Sequence, residues 1–262
     1  SQAAGAMMGA RAAMDGRATS GMTLVELLVA SALAALLILG LVTIVSATSA
    51  ASGLQRNQAE IHDNARYGLD LMAKSVRQAG FSPRPWDDAY SIEALSAETA
   101  DGGPGASDRL GLRAWSDRNC FDNRNPDLDP EGEPLFYIRE SMFDLTGDKN
   151  LAHRCRYGPS PAEMTTQIAR QGLVRGIESF QVLYGEDADG DGNIERWVAA
   201  REWSDPAHVL GLRIGLLAAS KDNPAERAAN EYRVLDVTES RPPDGRLRRV
   251  FSIAAAIRGR TR

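Results

Sequence analysis

The residues that most often carry chemistry are scarce in this chain. It has two cysteines and three histidines in 262 residues, and His62, His153 and His208 are scattered along it. There is no C-x-x-C pair and no histidine cluster, so a zinc site is not indicated. A Ser/His/Asp or Cys/His arrangement and a phosphate-cradling glycine loop are also missing, which leaves catalysis without a candidate and the expectation of a non-enzyme. An excess of positive charge is lacking too: 30 Lys and Arg stand against 35 Asp and Glu, a net charge of −5. Without a basic stripe, no nucleic-acid partner is evident. The length allows one sizeable globular domain plus an extended element.

What the chain does have is one long apolar run. Residues 20–45 read SGMTLVELLVASALAALLILGLVTIV, with Glu26 as the single charge. A carboxylate in a membrane-length helix costs on the order of 2.5–3.5 kcal/mol even on lenient insertion scales, so a lone Glu there points to function. The first N–H groups of such a helix lack partners and its dipole favours a nearby negative charge. A plain signal peptide is the bland alternative, but the run extends well past the roughly 7–15 residues of an h-region. Residues 1–21 carry Arg11 and Arg17 against Asp15, which leaves −6 on the remainder. By the positive-inside rule these arginines hold the N-terminal end in the cytoplasm and send the bulk of the chain across the membrane. Met7, Met8 and Met14 are candidate initiators.

The segment Gly21-Met22-Thr23-Leu24-Val25-Glu26 resembles the type IV prepilin signature, where a peptidase cuts after a glycine and the new amine is methylated. The resemblance implies cleavage after Gly21, N-methylation of Met22 and an assembly role for Glu26. Met22 departs from the commoner Phe. After cleavage, the Met22 amine and the Glu26 carboxylate of an axially shifted neighbour would pair and set the register between subunits.

Helical periodicity continues beyond the apolar run. Leu54, Gln58, Ile61, Ala65, Gly68 or Leu69, Met72, Val76 and Ala79 keep spacings of three and four, one face of an amphipathic helix. Gly80 ends it, and Pro83 and Pro85 forbid continuation. A helix from Met22 to Ala79 would be roughly 85–90 Å long at 1.5 Å per residue. The rest reads as strands at 91–95, 110–115, 134–139, 173–175 leading into another at 176–185, 195–200, 210–219 and 248–257, with loops at 116–133 and 220–231 and a turn at 144–150. One long helix followed by many strands predicts an α+β fold, the helix packed on an antiparallel sheet. The expected parts are a leader, 1–21; a transmembrane or filament-core helix, 22–53; an amphipathic helix, 54–80; and a β-rich head, 81–262.

Cys120 and Cys155 both fall in the exported part, where an oxidising compartment favours a disulfide between them. Within GEDADGDGNIERW, residues 185–197, Asp187, Asp189 and Asp191 alternate and Gly192 follows, as in the first part of an EF-hand loop. The Asn193 carbonyl and Glu195 would supply further oxygens for a calcium ion. The closing bidentate Glu is missing, since Val198 holds that position, and a solvated β-turn is the competing reading. Trp86, Trp115, Trp197 and Trp203 are read as core and rim packing rather than one binding face.

Residues 57–81, NQAEIHDNARYGLDLMAKSVRQAGF, resemble the block that closes the helix of PilW-family minor pilins, and residues 176–198 and 246–258 are similar to the heads of that family. The resemblance implies a minor pilin in the tip or priming complex that initiates pilus assembly. Its partners would be other minor pilins, the major pilin, the prepilin peptidase, the inner membrane and the pilus assembly machinery. It implies a single inner-membrane pass with a periplasmic head before assembly and a place in the surface pilus afterwards. A tip adhesin or DNA-capturing subunit, and a J-type minor pseudopilin of type II secretion, are the alternatives.

Overall fold

A computed structural model describes residues 21–103, 105–221 and 231–259. The expected leader therefore lies outside the described residues except for Gly21. The chain divides into two units, Ser1–Ser49 and Ala50–Arg262, and one helix, α1 (Leu24–Gln78), has residues in both.

In the first unit the described residues from Leu24 onward are helical and exposed, with Leu28, Leu36, Leu37, Leu39 and Ile44 all open to the surroundings. α1 is long and apolar enough there to cross a membrane. Its hydroxyls do not break that character. Ser31 Oγ donates to Leu28 O, Thr43 Oγ1 to Gly40 O and Thr48 Oγ1 to Ile44 O, each within 2.9 Å. Polar groups satisfied on the helix's own carbonyls can enter hydrocarbon without leaving a donor unpaired.

In the second unit α1 turns amphipathic and buries Ile61, Ala65, Gly68, Leu69, Met72 and Val76, the face expected from the sequence. Asn57 joins that face, because its Nδ2 donates to Gly53 O at 2.9 Å and so enters the apolar side already satisfied. Gly68 faces the side chains of the strands. A Cβ there would meet Leu151 Cδ2 at 2.9 Å, Val174 Cγ2 at 3.6 Å and Leu216 Cδ1 at 3.7 Å. The helix stops at Gly80, whose φ of +72° suits glycine and whose N–H leaves the helix to bond Arg113 O at 2.8 Å.

Among the described residues the strands form two four-stranded antiparallel sheets and a hairpin. The first is a meander of β1 (Leu110–Ser116), β2 (Tyr137–Leu145), β3 (Asn150–Gly158) and β4 (Thr165–Arg175). The second has the order β10-β7-β5-β6, from β5 (Ile177–Glu186), β6 (Arg196–Val198), β7 (Val209–Ala219) and β10 (Arg248–Ala256). β8 (Glu231–Val234) and β9 (Val237–Ser240) make the hairpin. Phe143 and Leu151 of the first sheet, and Phe180, Tyr184, Leu212, Ile214 and Leu216 of the second, share one core with the buried face of α1. The fold is α+β, one long N-terminal helix packed on antiparallel sheets.

Several expectations need correction. Residues 91–95 are not a strand; only Leu95 makes a bridge, to Leu112. The strand expected at 134–139 begins at Tyr137 and runs to Leu145. Pro134 has no N–H to give a ladder, and the Leu135 N–H goes to Asp127 O in the preceding loop at 2.8 Å. β3, most of β4, and the β8–β9 hairpin were not foreseen. β4 is an edge strand with most of its residues exposed or half-exposed, so it lacks the apolar alternation that marks a strand.

Candidate functional site

Two regions collect the residues singled out by the sequence, and the first is the start of α1. Gly21, Met22 and Thr23 precede the helix, and Thr23 caps it. Its Oγ1 accepts from Glu26 N at 3.2 Å, and its carbonyl accepts from Leu27 N at 3.1 Å. Thr23 is thus the N-cap and Glu26 the third helical residue, the T-x-x-E spacing of a capping box. Only half of that box is made: the Glu26 carboxylate has no hydrogen-bond or ion partner among the described residues. It is exposed on a helix whose neighbouring side chains are apolar, and it lies at the positive end of the helix dipole.

The second region is the turn joining β5 to β6, set by the pairing of Tyr184 with Val198 and Gly185 with Trp197. One carboxylate oxygen from each of Asp187, Asp189, Asp191 and Glu195 lies within 4.8 Å of the others. Unit charges at that separation repel by about 0.9 kcal/mol per pair even at the dielectric of water. Backbone donors compensate part of this. Asp187 accepts from Gly190 N at 2.7 Å, Asp191 N at 3.1 Å and Gly192 N at 2.9 Å, and Glu195 accepts from Ala188 N at 2.7 Å. Asn193 gives its N–H and its Nδ2 to Asp191, and these bonds hold the Asp191 carboxyl below the usual range. Gly190 and Gly192, with φ of +80° and +91°, allow the tight path. The set offers hard oxygen donors suited to calcium.

Beneath this turn lies a residue that sequence reasoning missed. Glu186 is fully buried; burial alone would push its carboxyl up, but the Ser204 hydroxyl and N–H together with Arg196 pull it down to about 2. Two further buried carboxylates were also overlooked. Glu140 meets Ser96, Arg113 and Arg156, and Glu178 meets Arg246 and Arg248. An acid placed among apolar strand residues, as in RESMF and GIESF, was the available signal.

Cys120 and Cys155 are joined, with Cα atoms 5.9 Å apart, tying the β1–β2 loop to β3. The histidines lie apart from one another: His62 meets Phe251 edge-on, His153 stacks on Phe143, and His208 sits in a short 3-10 turn. Burial, aided by Arg139, lowers His153 to about 4, so it packs as a neutral ring. Of the tryptophans, Trp203 meets Tyr184, Trp197 lies under Arg213 and Trp115 is buried, while Trp86 is 83% exposed.

Comparison with known proteins bears on the fold. Residues 136–259, from the start of β2 to the end of the described chain, match the family model of the type IV pilus-assembly protein W, PilW. Over those residues the chain is similar to the PilW family. Its fold is similar to that of a type IV-like pilin from Thermus thermophilus, with a TM-score of 0.50 at 15% identity, covering 77% of this chain and 97% of that one. At that identity the likeness concerns the fold alone. No curated protein sequence matches the chain. PilW proteins and pilins are structural in kind, and the exposed apolar start of α1 fits membrane anchoring.

Proposed function

We propose that this chain is a minor pilin, cut after Gly21, that enters the complex from which a type IV pilus is initiated. The observation that carries the reading is the carboxylate of Glu26, without a partner among the described residues and one turn into a helix of membrane length. Among the described residues its backbone N–H is used by Thr23, but its charge is not. In hydrocarbon that charge needs a cation, and the Met22 amine of a neighbouring subunit, created by cleavage, is the one the assembly would supply. The head would be periplasmic before assembly and part of the surface pilus afterwards, with other minor pilins and the major pilin as neighbours. Residues 22–53 would form the membrane or filament-core segment and residues 54–80 the helix of the head.

Intact mass of the membrane-extracted protein tests processing: the N-terminus should be Met22, carrying one methyl group. Glu26→Gln tests the pairing, and should leave membrane insertion intact while the protein no longer co-purifies with other minor pilins. Normal co-purification of that variant would remove Glu26 from the assembly role, and a retained leader on filament-derived protein would remove the processing step.

A further inference from the structure

Beside the end of α1 the second unit has a groove of about 570 Å³ that plays no part in the sites above. Aromatic rings form its apolar side: Phe81 and Phe136, with centroids 6.4 Å apart, and Trp115 at the end of β1. Three guanidinium groups also line it, from Arg77 in the last turn of α1, Arg139 in β2 and Arg258 just after β10. Buried acids neutralise arginines such as Arg113, Arg156 and Arg248. Arg77, Arg139 and Arg258, by contrast, have no carboxylate within 4.0 Å among the described residues; Arg139 donates to Gln78 Oε1 at 2.9 Å.

The charge balance of the groove is therefore positive. Asp117 is the one acid among its described lining residues, Asp122 also acts on Arg139, and the carbonyl end of α1 adds about half a negative charge. A positive surplus remains among the described residues, in a protein whose net charge is −5. Trp115 is only 8% exposed and meets Tyr90 edge-on, so its ring is fixed in the wall of the groove.

We infer that this groove docks an acidic segment of a partner protein, with a carboxylate held by the arginines and an adjoining apolar side chain seated on the aromatic rings. Guanidinium forks bind carboxylates bidentately, and aromatic residues with arginine are the usual anchors of such contacts. Charge complementarity selects the acid, and the three rings select its neighbour. The volume falls within the roughly 300–1,000 Å³ of pockets that take a few groups, and the acidic protein around it opposes a long polyanion, which disfavours nucleic acid. The inference concerns the head alone and does not depend on cleavage at Gly21 or on Glu26.

The test is fluorescence anisotropy on the full-length protein in detergent, with a labelled hexapeptide amide, acetyl-Asp-Glu-Phe-Glu-Leu-Asp, and its counterpart carrying Asn and Gln in place of the acids. The acidic peptide should bind, the neutral one at least tenfold more weakly. Arg77→Gln with Arg258→Gln, both exposed positions, should weaken the acidic peptide at least tenfold with the melting temperature unchanged. Phe81→Ala, also exposed, should weaken both peptides. No binding of the acidic peptide up to 1 mM, or equal binding to wild type and the double arginine variant, would overturn the inference. Displacement of the peptide by oligothymidylate at lower concentration than by unlabelled peptide would replace the protein segment with a nucleic acid and overturn it as well.

Discussion

Replacing both Cys120 and Cys155 with alanine opens a covalent ring spanning 35 residues of sequence separation. On the chain-entropy estimate a ring of that size removes about 3.8 kcal/mol of freedom from the unfolded state at 25 °C. The folded loop has other fasteners that the substitution leaves in place. Asn125 Nδ2 donates to Ser116 O and Leu135 O at 2.8 Å, Cys120 N donates to Gln167 Oε1 at 2.9 Å, and the Tyr137 hydroxyl bonds Asp127. The native loop should therefore keep its path, and the cost should fall on the unfolded side. Cys155 is 2% exposed, so losing its sulfur adds on the order of 1 kcal/mol of packing. A total of about 4–5 kcal/mol lowers the melting temperature by roughly 8–20 °C in a unit of this size. Thermal and urea unfolding of the full-length protein in detergent, with and without reductant, measures it. The urea slope should also rise, because the unbridged chain exposes more surface on unfolding. If the double variant melts within 2 °C of wild type whose disulfide is verified by mass, the loop contributes nothing through closure and the reasoning fails.

Calcium offers a second test. With a Kd near 1 mM, 10 mM calcium would stabilise the head by about 1.4 kcal/mol, a rise of roughly 3–6 °C that Asp189→Ala should abolish; a flat titration leaves only the turn. Asp108, 4% exposed, is pushed up to about 6 by burial and by Asp101, against N–H bonds from Gly102 and Val182. Because its folded value lies above the unfolded one, the folded state binds the proton more tightly. That contribution is full below about pH 4 and is lost as pH rises to about 6, amounting to about 3 kcal/mol. Asp108→Asn should remove this slope from urea stability measured between pH 4 and 7, and unchanged slopes would reject it. Gly68→Ala should be near neutral, since about 1 kcal/mol of helix propensity offsets moving the tip of Leu151. Gly68→Val should cost about 1–3 kcal/mol or more, measurable by urea unfolding.

The long helix and the central strands were legible because their signals are periodic. Ile61, Ala65, Met72 and Val76 mark one helical face, and the apolar run of β7 marks a strand covered on both sides. β4 was hidden because Thr165, Thr166, Arg170 and Gln171 read as loop, and only pairing with β3 makes them a strand. At the candidate site, Glu26 stood out as one charge in an apolar run, and the Asp-Gly pattern of residues 187–192 announced its turn. The capping bond from Thr23, the anchoring of Glu186 by Ser204 and the arginine groove were not legible. Each joins residues whose relation is a matter of geometry, over separations that range from three residues between Thr23 and Glu26 to most of the head between Arg77 and Arg258.

The way α1 ends also has a mechanical meaning. Gly80 N bonds Arg113 O and Trp115 N bonds Phe81 O, so the two residues beyond the last turn are stitched to β1, which is itself paired over seven positions with β2. Tension drawn along the helix would thus pass directly into a hydrogen-bonded sheet, with no slack loop to stretch first. Within the second unit, β1 would be the strand that first carries such a load.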